Sequence, residues 1–289
     1  MSLNISGPPM LPDGIGKVKS LRTLSDFTLP TSSSEIIRDL GELTNLTELK
    51  LSRFAGRGEV RCIPMPTTWM AAWSSSLQKL GNLRQLYMDS WPFSCCADAL
   101  SSWSSPPFPM LELLDVWMWT FSRVPRWIGD LFKLHTLRFR VKEVSNSTWD
   151  DVVILGKLPC LDKLDLCIEG GVPAEGMVIG GATGFGALHS FDLQIKSTSY
   201  LKLEAGAMPK LQVVYLKVDP NECDNATTSV CLKHLLSLKQ IYVSSYKRSP
   251  VSPEAEAKYD TVCAMFREAV NAHPNRSLFY KDFRASVYR

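Results

Sequence analysis

The side chains that most often carry out chemistry are four histidines and eight cysteines. The histidines are scattered along the 289-residue chain, at positions 135, 189, 234 and 273. None stands in a motif that supplies a serine, cysteine or aspartate partner for nucleophilic catalysis. The cysteines form no CxxC pair and show no zinc-ligand spacing. We therefore predict a protein that is not an enzyme, with no catalytic, cofactor-binding or metal-binding residues.

Two glycine-containing stretches have the composition of nucleotide sites without their spacing. Gly14-x-Gly16-Lys17 lacks the GxxxxGK[ST] pattern and the preceding strand of a phosphate loop, so we interpret it as a turn. Seven glycines between Gly170 and Gly186 do not form GxGxxG and predict a flexible loop. The adjacent Cys95 and Cys96 are expected to be reduced, buried thiols rather than a redox pair.

The charge distribution excludes several classes of partner. Of the formal net charge of +3, all lies in residues 276–289, so the first 275 residues are neutral overall. A neutral body argues against nucleic acid as a partner, because backbone binding requires clustered cations. No apolar run approaches the ~20 residues of a membrane helix, and the N-terminus has no secretory signal pattern. We expect a cytoplasmic protein without membrane, nucleic-acid or small-molecule partners.

The organisation of the chain comes from a recurring frame, apolar-x-x-apolar-x-apolar, as in Leu161-Asp162-Lys163-Leu164-Asp165-Leu166. Its second anchors are separated by 25, 37, 28, 23, 27, 27, 23 and 27 residues. Nine units with this period predict a leucine-rich repeat array. The first two anchors of the nine units are Leu21/Leu24, Leu46/Leu49, Leu83/Leu86, Leu111/Leu114, Leu134/Leu137, Leu161/Leu164, Leu188/Phe191, Leu211/Val214 and Leu238/Ile241.

The predicted fold is an α/β leucine-rich-repeat solenoid, a curved horseshoe with a parallel sheet on its concave face. Irregular loops and short helices are expected on the convex face. Helices are predicted after Thr68, near Leu100, and from a Ser252 cap to about residue 272. The expected domains are 1–248 for the repeats, 249–275 for a C-terminal capping helix, and 276–289 for a solvated basic tail.

The start of the chain has too few residues for an N-terminal capping element before the first repeat. An exposed first repeat leaves an apolar end unsealed. We therefore expect the sequence to be the C-terminal piece of a longer protein, or a truncated gene product.

Candidate binding residues follow from the alternation of side chains in a strand. The residue between the second and third anchors, here called the first column, faces the concave surface, and so does the residue two positions later, the second column. Trp117 with Arg138 and Arg140, flanked by aspartates, predicts a mixed-charge patch with an aromatic anchor. The predicted protein-binding residues are Lys50, Tyr87, Asp115, Trp117, Arg138, Arg140, Asp165, Asp192, Gln194, Tyr215, Lys217 and Tyr242.

Four segments are more specific than the repeat frame: Glu204-Ala-Gly-Ala-Met-Pro-Lys-Leu-Gln212, Leu235–Lys239, Ser252–Ala257 and Phe266–Arg276. They resemble the C-terminal end of grass coiled-coil, nucleotide-binding, leucine-rich-repeat disease-resistance proteins. The resemblance runs from about Leu11 to Asn275 and implies intracellular recognition of pathogen proteins, or regulation of a nucleotide-binding domain. That domain is absent from this sequence, so no nucleotide contact is transferred, and residues from Ser277 onward match no part of the family's usual ending.

Two other functions are compatible with a repeat array. One is a substrate adaptor, for example in ubiquitin ligation; an upstream F-box-like segment would favour it. The other is an extracellular receptor ectodomain, which five Asn-x-Ser/Thr sequons suggest. Asn45 lies beside the Leu46 anchor, a poor place for a glycan, so an intracellular protein is the preferred interpretation. The five sequon asparagines are Asn4, Asn45, Asn146, Asn225 and Asn275.

Overall fold

The computed structural model divides into two compact units, Met1–Arg140 and Val141–Arg289. Each unit is built on parallel β-strands, and each is described by itself below. The structure describes residues 11–27, 34–51, 67–88, 95–103, 107–142, 149–170, 177–180, 184–195, 201–222, 232–245, 252–275 and 277–281.

The first unit contains strands β1–β5, β6 up to Arg140, and helices α1–α3. Its strands follow the order β1-β2-β3-β5-β6, and β4 pairs with the far half of β5. Turns of 3-10 helix occupy Ile15–Lys17, as the glycine pair predicted, and Arg126–Asp130. The elements are β1 (Thr23–Phe27), α1 (Ser34–Leu40), β2 (Glu48–Leu51), α2 (Thr67–Leu77), β3 (Gln85–Met88), β4 (Cys95–Cys96), α3 (Asp98–Ser101), β5 (Leu113–Phe121) and β6 (Thr136–Val141).

The predicted anchors stack from strand to strand in the first unit. Leu24 pairs with Leu49, Leu49 with Leu86, and Leu86 with Leu114, all in parallel register. These four side chains are buried, whereas the intervening Lys50 is half-buried. Period-2 burial of this kind forms because one strand face packs on the core while the other meets solvent. The repeat register predicted from the sequence is therefore confirmed here.

Aromatic rings fill much of the core behind these strands. Trp103 and Trp127 lie 5.2 Å apart, and Phe108 is 6.0 and 6.4 Å from them. The Trp127 indole donates to the carbonyl of Leu100 at 2.8 Å, which satisfies its buried N–H. The buried residues of α2 include Trp73, as its apolar spacing predicted. Bulky convex-side residues thus complete the core of these longer repeats.

The second unit contains strands β7–β13 and helices α4 and α5. Its strands follow the order β7-β9-β11-β12-β13, and β8 pairs with β10 in a separate two-stranded sheet. Residues Pro220–Glu222 and Leu232–His234 form 3-10 turns. The elements are α4 (Trp149–Gly156), β7 (Lys163–Ile168), β8 (Met177–Ile179), β9 (Ser190–Gln194), β10 (Leu201–Leu203), β11 (Val213–Val218), β12 (Gln240–Ser245), α5 (Pro253–Asn271) and β13 (Leu278–Lys281).

The sequence predicted that the glycine-rich segment is a flexible loop, but the structure contains a short strand there. Residues 177–179 form β8, because the apolar run Met-Val-Ile finds a parallel partner in β10. Gly184 has φ of +92°, and a Cβ there would lie 2.1 Å from the carbonyl oxygen of Gly156. Only glycine fits this close approach. Gly184 therefore allows its own turn to pack closely against the end of α4.

Helix α5 has the predicted cap and the predicted buried stripe. The Ser252 hydroxyl accepts a hydrogen bond from the Ala255 N–H, and Pro253 is the first helical residue. The stripe packs inward, and the Tyr259 hydroxyl donates to the carbonyl of Val243 at 3.2 Å. Its members Tyr259, Val262, Phe266 and Val270 are all buried.

The segment expected to be a solvated tail contains a further strand, β13, in parallel register with β12. Phe279 of β13 pairs with Ile241 of β12, in the position of a second anchor. The Leu278 N–H donates to Lys239 at 2.7 Å and the Ser277 hydroxyl to Leu238 at 2.9 Å, both to backbone carbonyls. Residues 278–281 of the segment expected to be a solvated tail therefore form an ordered strand, although most of its side chains are exposed. Helix α5 connects two parallel strands.

Candidate functional site

Parallel register places the predicted binding residues in rows across neighbouring strands. In the first unit, Lys50 pairs with Tyr87 and Tyr87 with Asp115. Arg138 is at the corresponding position of β6, and Trp117 and Arg140 are in the second column. On the exposed face of this unit, the side chains of one row on neighbouring strands are therefore about 4.8 Å apart.

Two guanidinium groups contact the Trp117 ring. The guanidinium carbon of Arg138 lies 4.5 Å from the centre of the Trp117 ring, and that of Arg140 lies 5.0 Å away. The Asp115 carboxylate is 3.4 Å from Arg138 Nη1 and also accepts a hydrogen bond from the backbone N–H of Trp117 at 3.4 Å. We call Asp115, Trp117, Arg138 and Arg140 the Trp117 cluster. The structure brings together these four residues as the sequence predicted.

The Trp117 cluster is partly shielded from water. The side chains of Arg138 and Asp115 are 18% and 15% exposed, so their attraction is screened less than that of a surface ion pair. Stacking on an indole further restricts both arginines. Nearby, burial together with the charges of Glu48 and Asp115 raises the pKa of Tyr87, which keeps its phenol neutral. The cluster thus presents an ordered aromatic and cationic surface.

The second unit carries a row of three tyrosines, here called the tyrosine stack. The rings of Tyr215 and Tyr242 are 4.7 Å apart at 12°, and those of Tyr242 and Tyr280 are 4.7 Å apart at 11°. This separation matches the spacing of neighbouring strands, so the parallel register itself produces the stack. Burial raises the pKa of Tyr215 and of Tyr242, helped by neighbouring tyrosines.

Tyr280 was missed by sequence reasoning because its strand lies in the segment assigned to the tail. The available signal was the short apolar run Leu278-Phe279-Tyr280, which follows Asn275 at the spacing seen for Asn45 and Asn82 before earlier strands. Tyr280 is 38% exposed. It extends the predicted row of binding residues by one strand.

The aspartates of the second unit are less accessible than strand alternation predicted. Asp165 and Asp192 are side by side in β7 and β9 and are only 6% and 5% exposed. Lys217 lies over Asp192, with Nζ 2.6 Å from its Oδ2. Gln194, in the second column, remains half-buried. The two carboxylates are therefore part of the packed base of this face rather than its contact surface.

Two histidines have polar neighbours that the sequence did not reveal. His189 Nδ1 lies 2.6 Å from the Asp162 carboxylate, on an exposed link between consecutive repeats. His273 Nδ1 accepts from the Asn275 N–H at 3.2 Å and lies 3.2 Å from the Ser277 hydroxyl. Both His273 and Ser277 are buried. The His189 contact joins consecutive repeats, whereas the His273 contacts are local to the turn after α5. No group of metal-binding side chains occurs within the described ranges.

Side-chain donors before the strands bond to the backbone of the preceding repeat. Asn45 Nδ2 donates to the carbonyl of Lys19 at 2.8 Å, and Asn82 Nδ2 to that of Thr44 at 2.9 Å. Asn275 Nδ2 donates in the same way to Leu236. The amides of two sequon asparagines, Asn45 and Asn275, are thus used between repeats. Asn4, Asn146 and Asn225 lie outside the described residues.

Stacked anchors, parallel strands and side-chain bonds between repeats define a leucine-rich repeat protein. The chain matches the family model described as "Leucine-rich repeat region" over residues 1–279 and belongs to that family. It is similar to "Disease resistance protein RGA5" of Oryza sativa subsp. japonica, with 32% identity over 279 residues. This alignment covers 95% of the chain and 24% of the rice protein, so the chain spans about a quarter of its relative. The resemblance to grass disease-resistance proteins is confirmed.

Two solved structures are similar at 14% identity each. One is the Leptospira interrogans LRR protein LIC12759, with a TM-score of 0.30, covering 96% of this chain and 94% of that one. The other is in the octameric complex of Latrophilin 3, Unc5D and FLRT2 (LRR), with a TM-score of 0.41 and coverages of 96% and 88%. Separately, no helix within the described ranges combines the length and apolar character needed to cross a bilayer.

Proposed function

We propose that this chain is the protein-recognition region of an intracellular plant disease-resistance protein. It recognises pathogen effectors, regulates a nucleotide-binding domain, or does both, by shape and charge and without a chemical step. Support comes from membership of the leucine-rich repeat family and from similarity to a rice disease resistance protein. Leucine-rich repeats present extended binding surfaces, which suits a role in defence through protein–protein interaction.

The Trp117 cluster is the observation that carries this proposal. Tryptophan and arginine are enriched among residues that dominate binding energy. Here they are preorganised by ring stacking and by Asp115, so less side-chain entropy is lost when a partner binds. In the first unit, Lys50, Arg138 and Arg140 outnumber Asp115 by two charges among the predicted residues. The partner surface that fits this balance is an acidic segment with an apolar or aromatic residue at its centre.

A cytoplasmic location is part of the proposal. Cys160 is a free thiol, as expected in a reducing compartment. Two of the sequon asparagines are engaged with neighbouring repeats. These observations favour an intracellular disease-resistance protein over a receptor ectodomain.

The experiment is co-precipitation with the nucleotide-binding domain of a grass disease-resistance protein, expressed together with this chain in leaf tissue. Replacing Trp117 by Ala and Arg140 by Gln should weaken recovery by about tenfold or more, since hot-spot truncations cost 2 kcal/mol or above. Arg138 is retained because its loss would leave the Asp115 charge uncompensated.

The matched control is Arg126→Gln, which removes an exposed arginine from a 3-10 turn of the same unit. This variant should bind like the unmodified chain, and circular-dichroism melts should show that all variants are folded. Equal recovery of the doubly substituted and unmodified chains would exclude the Trp117 cluster as the contact surface.

A further inference from the structure

A cleft of about 260 Å³ lies in the first unit, where the chain enters β1, β2 and β3. It is separate from the Trp117 cluster, which lies within the strands. The cleft is lined by Arg22, Asn45, Thr47, Asn82, Arg84 and Met110.

The repeat register explains why a cleft forms here. Arg22, Thr47 and Arg84 occupy the same position, immediately before the strand, in three successive repeats. A short threonine between two long arginines leaves a gap. Because neighbouring strands are about 4.8 Å apart, the two arginine backbones are about 9.6 Å apart, and both side chains are long enough to reach a group in the middle. The arrangement is therefore a notch with a guanidinium on each side.

The equivalent position in the second unit is filled by internal contacts. Asp162 bonds to His189 at 2.6 Å, and Lys239 Nζ donates to Gln212 Oε1 at 2.9 Å. In the first unit, the side-chain contact of Arg84 among the described residues is a long, exposed one of 3.5 Å with Glu112. Most of the ten N–H donors of the two arginines are thus available to a ligand.

The asparagines add donors at the same place. Asn45 and Asn82 each use one N–H to bond the preceding repeat, and each carboxamide has a second N–H. The Thr47 hydroxyl donates to the carbonyl of Arg22 at 2.9 Å, which fixes the floor of the cleft. Donors with a net positive charge therefore converge on one small volume.

We propose that this cleft binds a phosphate ester. A carboxylate has two oxygens, which one arginine can satisfy in a bidentate contact. A phosphate ester has three terminal oxygens and up to two charges, so it can engage Arg22, Arg84 and an asparagine amide together. The phosphate belongs either to a phosphorylated side chain of a partner protein or to a free small molecule.

The test uses the purified chain, with binding followed by NMR shifts of arginine Nε–H and asparagine side-chain amides. The two probes are phenyl phosphate and a phosphoserine peptide, and the unphosphorylated peptide is the reference. Saturable shifts with the phosphorylated probes are expected. Arg22→Gln and Arg84→Gln should each weaken binding by about tenfold or more, because each removes charge-assisted hydrogen bonds.

Two further variants make the result decisive. Thr47→Glu places a carboxylate inside the cleft and should block both probes while Arg22 and Arg84 remain. Arg126→Gln removes an exposed arginine elsewhere in the unit and should leave binding unchanged. Tighter binding of the phosphopeptide would identify a protein source, and equal binding a free phosphorylated ligand. Absence of saturable shifts, or equal binding by all variants, would overturn the proposal.

Discussion

The exposed strand faces of the two units are organised by different side-chain chemistry on the same backbone register. In the first unit, Trp117 contacts both Arg138 and Arg140, so the face is held by cation–π contacts and an ion pair. In the second unit, Tyr215, Tyr242 and Tyr280 stack ring on ring. Both arrangements follow from residues in register on adjacent parallel strands.

This difference shows how a repeat fold separates stability from recognition. The buried anchors Leu137 and Leu164 are equivalent in β6 and β7 and are both almost fully buried. The residues that follow these anchors differ completely: Arg138 is half-buried in β6, whereas Asp165 is buried in β7. We therefore expect equivalent substitutions in the two cores to have equal effects, and equivalent substitutions on the two faces to have different effects.

The largest expected effect comes from the anchors. Leu137→Ala and Leu164→Ala should each lower the free energy of unfolding by about 2–5 kcal/mol, because each leaves a cavity in a packed core. Urea denaturation monitored by circular dichroism provides the measurement. Leu236→Ala is the control, since Leu236 is 65% exposed, and it should change stability by no more than about 0.5 kcal/mol. An unchanged transition for either anchor variant would contradict the equivalence of the two cores.

An intermediate effect is expected at the centre of the tyrosine stack. Tyr242→Ala removes two ring contacts, each contributing about 0.5–1.5 kcal/mol beyond burial, so unfolding should become easier by about 1–3 kcal/mol. The effect should be independent of salt, because neutral rings carry no net charge. Tyr242→Phe keeps both contacts and loses the hydroxyl bond to Gln240. If Phe and Ala destabilise equally, ring stacking does not hold this face together.

The smallest effect concerns a charged surface bridge in the first unit. Hydrogen bonds from Lys79 and Lys19 lower the pKa of Glu42 to about 2. The pKa of Glu42 in the folded protein is below the ordinary value of 4.5 for this side chain. The stabilisation that its carboxylate contributes is therefore complete above pH 4.5 and disappears as the pH falls towards 2. Glu42→Gln should therefore reduce the loss of melting temperature between pH 5 and pH 2.

The control for this pH comparison is Glu268→Gln, which neutralises an exposed carboxylate on α5 of the second unit. It should leave the acid sensitivity of the chain unchanged, and added salt should diminish the difference between Glu42→Gln and the unmodified protein. Identical melts of Glu42→Gln and the unmodified chain at both pH values would show that the bridge has no role in stability.

The sequence predicted the parts of the fold that are encoded locally. Alternating burial around Leu49, Leu86 and Leu137 is visible in the sequence as a period-2 pattern, and the i, i+3/i+4 stripe of α5 is visible in the same way. The meeting of Trp117 with Arg138 and Arg140 followed from counting positions within the repeat. These inferences succeeded because a repeat turns sequence spacing directly into spatial neighbours.

Elements that depend on distant partners could not be predicted in this way. Strands β8 and β10 have three residues each and are stabilised by pairing with one another. The burial of Asp192 depends on where the long Lys217 side chain settles, and alternation alone does not give that conformation. Helix α1 was not predicted from the sequence for another reason. Only Ile36, Ile37 and Leu40 mark its buried side, and this pattern is shorter than that of an average helix.

The unbroken register of β7, β9, β11 and β12 has a consequence for how such a protein changes over generations. Gain or loss of one complete repeat shifts every later side-chain row by one strand spacing, about 4.8 Å, and leaves each row intact. Unequal exchange between similar genes can therefore lengthen or shorten the face in whole steps. Point substitutions at exposed positions then alter one contact at a time without disturbing the leucines beneath.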